Sequence, residues 1–280
     1  MELEAKRREV EQVRVSVKAN LLNSPLVYLR RLSSSKALSP LVVIIIWELA
    51  GQMKLVDPMF LPAPSAILMQ FCLMIRTGEI FIHIGYSMGR MLTGFSLACV
   101  VGVLLGVAMA WFPLIDRIFE PLIDFIRPVS PLAILPLAIL WLGIGNSSKI
   151  FIIFYGALFP IVLNTYAGVK GVDKVVVDAA KTLGATKAEL LFKVAIPSAL
   201  PIILTGIRIS SAIAMIVVVA SEMVAATAGL GYLILTAEQV YKTEEMFVGI
   251  LCISILGFGL DRLIKYIQRK ITWYTELISI

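Results

Sequence analysis

Asp178-Ala179-Ala180-Lys181-Thr182-Leu183-Gly184-Ala185-Thr186-Lys187-Ala188-Glu189-Leu190-Leu191-Phe192-Lys193-Val194-Ala195-Ile196-Pro197 is a polar, basic island between two long apolar runs. Lys181, Lys187, Glu189 and Lys193 hold it in water. Ala179, Ala180, Leu183, Ala185, Ala188, Leu190 and Leu191 give it an apolar side at roughly helical spacing. Gly184 costs a helix interior roughly 1 kcal/mol against alanine, so it reads as a bend between two short helices. The alanines leave a flat face that a partner surface can approach closely. Pro197 has no N–H to donate and belongs in a first turn, so the next helix starts there. The plain alternative is a solvated loop between two spans. What favours more than that is the order: an acid and two alanines, a glycine six positions after the acid, then Val194-x-Ile196-Pro197.

The 280 residues around this island are 59% hydrophobic and 16% charged. A soluble domain is nearer 45–50% apolar and about a quarter charged. The excess apolar surface must face lipid, and the fold class expected is an all-α integral membrane protein. The net charge of +6 does not point to nucleic acid, because the cations cluster in segments flanking apolar runs, where they orient a chain in a membrane. Cys72, Cys99 and Cys252 have no paired spacing and no histidine cluster beside them, so neither a disulfide framework nor a metal site is expected. No cleavable signal-peptide pattern is expected either.

Residues 1–36 read as a basic cytoplasmic tail, in which Leu21–Leu32 is either an amphipathic surface helix or unstructured. The membrane domain is expected at 37–270, with the polar loop that holds Asp178–Pro197 at 170–200, and 271–280 as a C-terminal cytoplasmic tail. The first span is Ala37–Met53. Ser65 is expected to cap a surface helix, Ala66–Ile75. A long helix follows from Ile82 to Trp111, with Gly102-x-x-x-Gly106 permitting close packing. Asp116 and Arg117 read as a short loop. A third run, Ile118 to Gly143, is broken by Pro128, Pro131 and Pro136, as for a helix lining a path, since freed backbone groups in lipid need partners or water. Ile150–Val169, Leu200–Ala220 and Met246–Tyr266 complete six spans, with Ser221–Glu245 read as loop. Six spans put both termini on one side. Lys54, Arg76, Arg90, Lys149 and Lys242 then fall outside, Arg208 within a span, and all other lysines and arginines on the side of the termini and of Asp178–Pro197, which the charge rule makes cytoplasmic.

Residues suited to chemistry are few. No G-x-x-x-x-G-K-[ST] exists, so ATP is not cradled here in the P-loop manner, and Gly229-Leu230-Gly231 follows no strand. His83, the one histidine, reads as an interfacial polar residue. Arg208, some eight residues into a span, is either functional or snorkels to the interface. Ser130, Ser210 and Ser211 are hydroxyls for a polar path or else bond their own helix. Glu222 either lines the outer mouth or is a solvated helix end. With no catalytic set of its own, a chain that transports against a gradient draws energy from a partner.

The order in Asp178–Pro197 resembles the EAA coupling loop of ABC-importer permeases. Leu61-Pro62-Ala63-Pro64, Arg127-Pro128-Val129-Ser130-Pro131, Trp141-Leu142-Gly143-Ile144-Gly145, Leu204-Thr205-Gly206-Ile207-Arg208 and Ser221-Glu222-Met223 through Gly229-Leu230-Gly231 resemble the taurine, alkanesulfonate, nitrate and bicarbonate branch of that family. The resemblance spans residues 40–270. It implies a type I importer fold in an inner membrane, no enzyme activity or cofactor in this chain, and ATP bound by a partner. The partners implied are ABC ATPase subunits docking on Asp178, Ala179, Ala180, Gly184 and Pro197, a periplasmic or lipid-anchored solute-binding protein, and a second permease copy. Ser130, Arg208, Ser210, Ser211 and Glu222 are the expected path residues. Asp178, Val194 and Ile196 stand where the family more often has Glu, Ile and Leu. The alternative class is an ion-gradient-driven secondary transporter, against which stand the scarcity of intramembrane carboxylates and the absence of an inverted repeat.

Overall fold

The computed structural model describes residues 38–53 and 55–271. The basic tail with Leu21–Leu32, and residues 272–280, lie outside the described residues. Two compact units divide the chain at Ala66 and Ile67.

In the first unit, α1 (Leu38–Gln52) is apolar without a sided pattern, and Leu41 to Ile46 are all about half exposed or more. Fifteen residues rise about 22 Å, short of a hydrocarbon core of about 30 Å. Ser65 does not cap the next helix as expected. Pro64 opens α2 (Pro64–Thr77), as a residue with a preset φ and no N–H can. Ser65 then sits in the first turn, with its N–H and hydroxyl donating to Glu48 at 2.9 and 2.7 Å.

The second unit is built on three long helices: α3 (Glu79–Trp111), α6 (Asn146–Lys170) and α9 (Ile196–Ala225). Met91, Ala98, Ile152, Ile153, Ile161 and Ala214 are completely buried where they meet. A Cβ at Gly102 would stand 2.8 Å from Ile161, and one at Gly106 2.6 Å from Thr165. The Gly102-x-x-x-Gly106 pattern is thus the seam between α3 and α6, and small residues there let the backbones touch.

The proline-rich run is two helices, α4 (Pro113–Ile126) and α5 (Pro131–Leu142), bent 102° from one another. Asp116 and Arg117 belong to α4, not to a loop, because Pro113 starts the helix earlier than expected. The break falls at residues 127–130 and ends at Ser130, whose extended backbone (φ −62°, ψ 134°) is the one favoured just before a proline, here Pro131. Pro136 lies inside α5 and does not break it.

After α6 come α7 (Lys174–Thr182), the single turn α8 (Lys187–Glu189) and a π-helical stretch, Leu190–Ala195, that runs into α9. Pro197 supplies the reason for the wide turn. It cannot donate, and its ring crowds the carbonyl four residues back. Ser221–Glu245 is not a loop. Helix α9 continues to Ala225, and α10 (Leu230–Gln239) follows, burying Leu230, Leu233 and Ala237 at helical spacing. The last helix is α11 (Thr243–Ile271).

Among the described residues, four helical stretches are long and apolar enough to cross a membrane: α3, α6, Lys187–Val224 and α11. The bent pair α4–α5 makes a fifth if it is one span, and α1 is a shorter apolar helix.

Candidate functional site

Two regions carry six of the predicted site residues: Asp178, Ala179, Ala180, Gly184 and Pro197 in one, Glu222 in the other. The first is the coupling segment. Asp173 caps α7, its carboxylate accepting from Val175 N–H at 2.8 Å. Asp178 is exposed and paired with Lys181 at 2.9 Å. At the other end the N–H of Gly184 reaches Lys181 O at 2.9 Å and that of Ala185 reaches Ala180 O at 3.1 Å. With Gly184 at φ +84°, this is a Schellman closure, in which a left-handed residue satisfies the last carbonyls. Thr186 then opens α8 with a capping box: its hydroxyl accepts from Glu189 N–H, and the Glu189 carboxylate accepts from Thr186 N–H at 3.0 Å. The T-x-x-E spacing announces this box, and the sequence reading passed over it.

Every one of these capping bonds is local, while Leu191 and Ala195 at the far end of the segment pack on Val169, Ala199 and Ile203 of the bundle. Helix α7 buries none of its residues. Val175, Leu183 and Phe192 are 73, 88 and 67% exposed. Ala179 is exposed and Ala180 half-buried. Ala180, Leu183, Gly184 and Ala185 face Glu189 and Lys193 across a hollow of about 330 Å³. Large apolar groups held rigidly around a concave, small-residue surface suit a docking face.

The second region was not foreseen as a unit. Glu222, the expected mouth or solvated helix end, is fully buried, which overturns the solvated reading. Its Oε1 accepts from the Arg90 guanidinium at 2.7 Å, and its Oε2 accepts from Gly231 N–H at 3.0 Å. Ser87 Oγ lies 2.9 and 2.7 Å from the two oxygens, donates to them, and accepts from Leu230 N–H at 2.8 Å. Gly229 N–H donates to His83 Nδ1 at 3.1 Å. Three successive N–H groups at the start of α10, which no helical turn can satisfy, are therefore taken up by side chains of α3 and α9. Arg90 also donates to Ala228 O at 2.6 Å and, through Nε, to Asn146 at 2.8 Å. A Cβ on Gly229 would lie 2.4 Å from Glu222 Cδ, and one on Gly231 2.2 Å from Val219 O. The Gly-Leu-Gly motif is thus a close-approach site, where the start of α10 is clasped on a carboxylate.

Arg90 and Lys149, assigned to outer segments by charge counting, are both buried. His83 is buried rather than interfacial. A carboxylate that ferries ions must load and unload, whereas each oxygen of Glu222 is held by a charged or backbone donor. Hydrogen bonds of that kind fix the carboxylate in place between α3 and α10.

The remaining path residues do not gather into one surface within the chain. Ser130 is exposed ahead of α5. Arg208 does not snorkel alone: its Nε meets Asp261 of α11 at 2.7 Å, and Asp261 also meets Lys265 at 2.8 Å. Ser211 donates to its own helix at Arg208 O, and Ser210 is buried with no partner for its hydroxyl. Among the described residues no group of His, Cys, Asp and Glu is placed to hold a metal.

The model of the binding-protein-dependent transport system inner membrane component matches residues 98–273. The chain belongs to that family. The taurine transport system permease protein TauC of Escherichia coli K12 is 35% identical over 84% of this chain and 88% of its own length. The bicarbonate transport system permease protein CmpB of Synechocystis is 37% identical over 66% of each chain. An inward-facing crystal form of the MetNI methionine ABC transporter matches with TM-score 0.62 and 18% identity, covering 70% of this chain and 98% of that one. At that identity the likeness is one of fold, and it is the type I importer permease fold that the coupling-loop resemblance implied.

Proposed function

We propose that this chain is the membrane-spanning subunit of an ATP-driven importer of a small anion, sulfonate- or taurine-like, or else nitrate or bicarbonate. Two copies would form a central path across six spans each, with the short α1 and the bent α4–α5 pair counted as one span apiece and both termini cytoplasmic. ATP is bound and hydrolysed by separate subunits that dock on the coupling segment. A solute-binding protein outside delivers the anion.

The observation that carries this reading is the coupling segment itself, a self-capped pair of helices with Val175, Leu183 and Phe192 bare to solvent. Its continuity with α9 through the π stretch supplies the mechanism. ATP-driven closure of the partner subunits shifts α7 and α8, and the motion passes along α9 into the bundle, opening the path outward. Hydrolysis and release reset it. ATP can drive this only if the segment contacts the ATPase differently in the two states. The anion assignment draws on the similarity to TauC and CmpB.

The test is a pull-down of tagged chain from solubilised membranes, with Asp178→Ala and Gly184→Pro together and without, followed by ATPase assay. Co-purification of a P-loop ATPase that the double variant loses is expected. A chain that comes down alone, intact and folded would return the gradient-driven transporter to first place.

A further inference from the structure

Beside the α4–α5 break lies a hollow of about 390 Å³, walled by Arg127, Val129 and Pro131 of the break, by Tyr155 to Asn164 of α6, and by Ile213 of α9. The Tyr155 hydroxyl pins the break in place, lying 3.0 Å from Ile126 O and 3.2 Å from Val129 O. Tyr155 is the tenth residue of α6, about 13 Å from one helix end and about 22 Å from the other at 1.5 Å per residue. Arg127, which charge counting puts with the cytoplasmic cations, therefore stands near mid-depth of a spanning helix.

Arg127 is exposed, and among the described residues its side chain enters no ion pair. It differs in this from Arg90, which is locked to Glu222, and from Arg208, which is tied to Asp261. An unpaired guanidinium at that depth is costly against hydrocarbon and belongs where water or a counter-ion reaches it. The hollow offers such a place. Its volume lies within the range of small-ligand sites, mostly apolar with a few polar groups. Asn164 Nδ2 is engaged by Pro160 O, so of the residues lining the hollow Arg127 alone brings a charged donor to it. Asp124, one turn before Arg127, does not line it.

We infer that Arg127 is the anion-selecting residue of the translocation path, its guanidinium receiving the oxyanion end of a small organic anion in this hollow. The inference rests on the importer reading above. Arginine suits the task because its planar fork matches a sulfonate or carboxylate edge and stays charged at every physiological pH. The apolar wall of Phe159, Leu163 and Ile213 would take the short hydrocarbon part of such a solute.

The test uses membranes containing the complete importer, with Cys72→Ser to remove the exposed thiol and Val129→Cys to report on the hollow. Two water-soluble thiol reagents of similar size are compared, the anionic 2-sulfonatoethyl and the cationic 2-trimethylammonioethyl methanethiosulfonate. The expected result is labelling of Val129→Cys with a preference for the sulfonate reagent that falls about tenfold on adding Arg127→Gln, as removal of a nearby charge in a partly shielded site implies. Arg127→Lys should restore most of it. A hollow closed to both reagents with and without ATP overturns the proposal, as does a ratio that Arg127→Gln leaves unchanged, the outcome if a second copy's carboxylate neutralises Arg127. ATPase co-purification is scored on the same membranes. Its loss in the parent breaks the importer reading, while the labelling ratio still judges Arg127.

Discussion

The coupling segment and the Glu222 clasp are built on opposite plans. In the first, each capping bond joins residues within five positions of one another: Asp173 to Val175, Ala185 to Ala180, Thr186 to Glu189. Its caps are set by its own sequence, and it leaves Val175, Leu183 and Phe192 bare for someone else. In the second, the bonds from α3 to Glu222 and to the start of α10 join residues 132 to 146 positions apart. Glu222 is useful only once α3, α9 and α10 have met around it. A site made for a partner can be locally sufficient, whereas one that locks helices together in a membrane cannot.

Breaking the clasp should cost the most. Glu222→Gln leaves the buried Arg90 without its counter-charge, and loss of one partner of a buried pair costs about 3–5 kcal/mol. The expected outcome is a large fall in the thermal midpoint of the detergent-solubilised chain, measured by intrinsic tryptophan fluorescence. Adding Arg90→Met should recover part of the loss. Gly229→Ala comes next, because a Cβ would collide with Glu222 Cδ at 2.4 Å and φ is +132°. Strained backbone of this kind costs on the order of 1–3 kcal/mol before the clash is counted. The same fluorescence melt should place it just below Glu222→Gln.

Changes in the coupling segment should barely register in that melt. Gly184→Ala, at φ +84°, should cost roughly 1 kcal/mol locally and show as faster amide exchange at residues 180–186 with an unchanged midpoint. Thr186→Ala removes one half of the capping box, worth about 1 kcal/mol of helix stability, with the same local readout. Asp178→Asn is expected to be the smallest in stability, since an exposed pair such as Asp178–Lys181 is worth about 0–1 kcal/mol. It should nevertheless reduce stimulation of the partner ATPase. A large drop in midpoint for any of these three would erase the contrast between the two regions.

That contrast also explains what could be read in advance. Gly184 as a bend and Pro197 at the head of α9 were visible because local stereochemistry decides them. The boundaries of α3, α6 and α11 came out close to their apolar runs for the same reason. The α4–α5 break was expected from its prolines, but not a bend of 102°, since prolines mark where a helix ends and packing sets the direction in which the next one leaves. Glu222 drew notice as a carboxylate at a helix end, yet nothing near it in sequence names Ser87, Arg90 or His83 as its company. Charge counting treats every cation as solvated, so it gives no sign that Arg90 is buried. Helix α10 was missed although Leu230, Leu233 and Ala237 carry the spacing, because glycines and glutamates around them read as loop.

The separation of Arg90 from Glu222 bears on how the chain is made. The two lie 132 positions apart, and at roughly 5–20 residues per second the ribosome takes about 7 to 26 s to pass from one to the other. Throughout that interval α3 holds a guanidinium whose counter-charge has not yet been synthesised. Its long stem must carry the charge out to the headgroups or to water in the meantime, and draw it back when Glu222 arrives. A nascent chain that ends before residue 222 therefore keeps that charge without its partner, and completion of α9 supplies it.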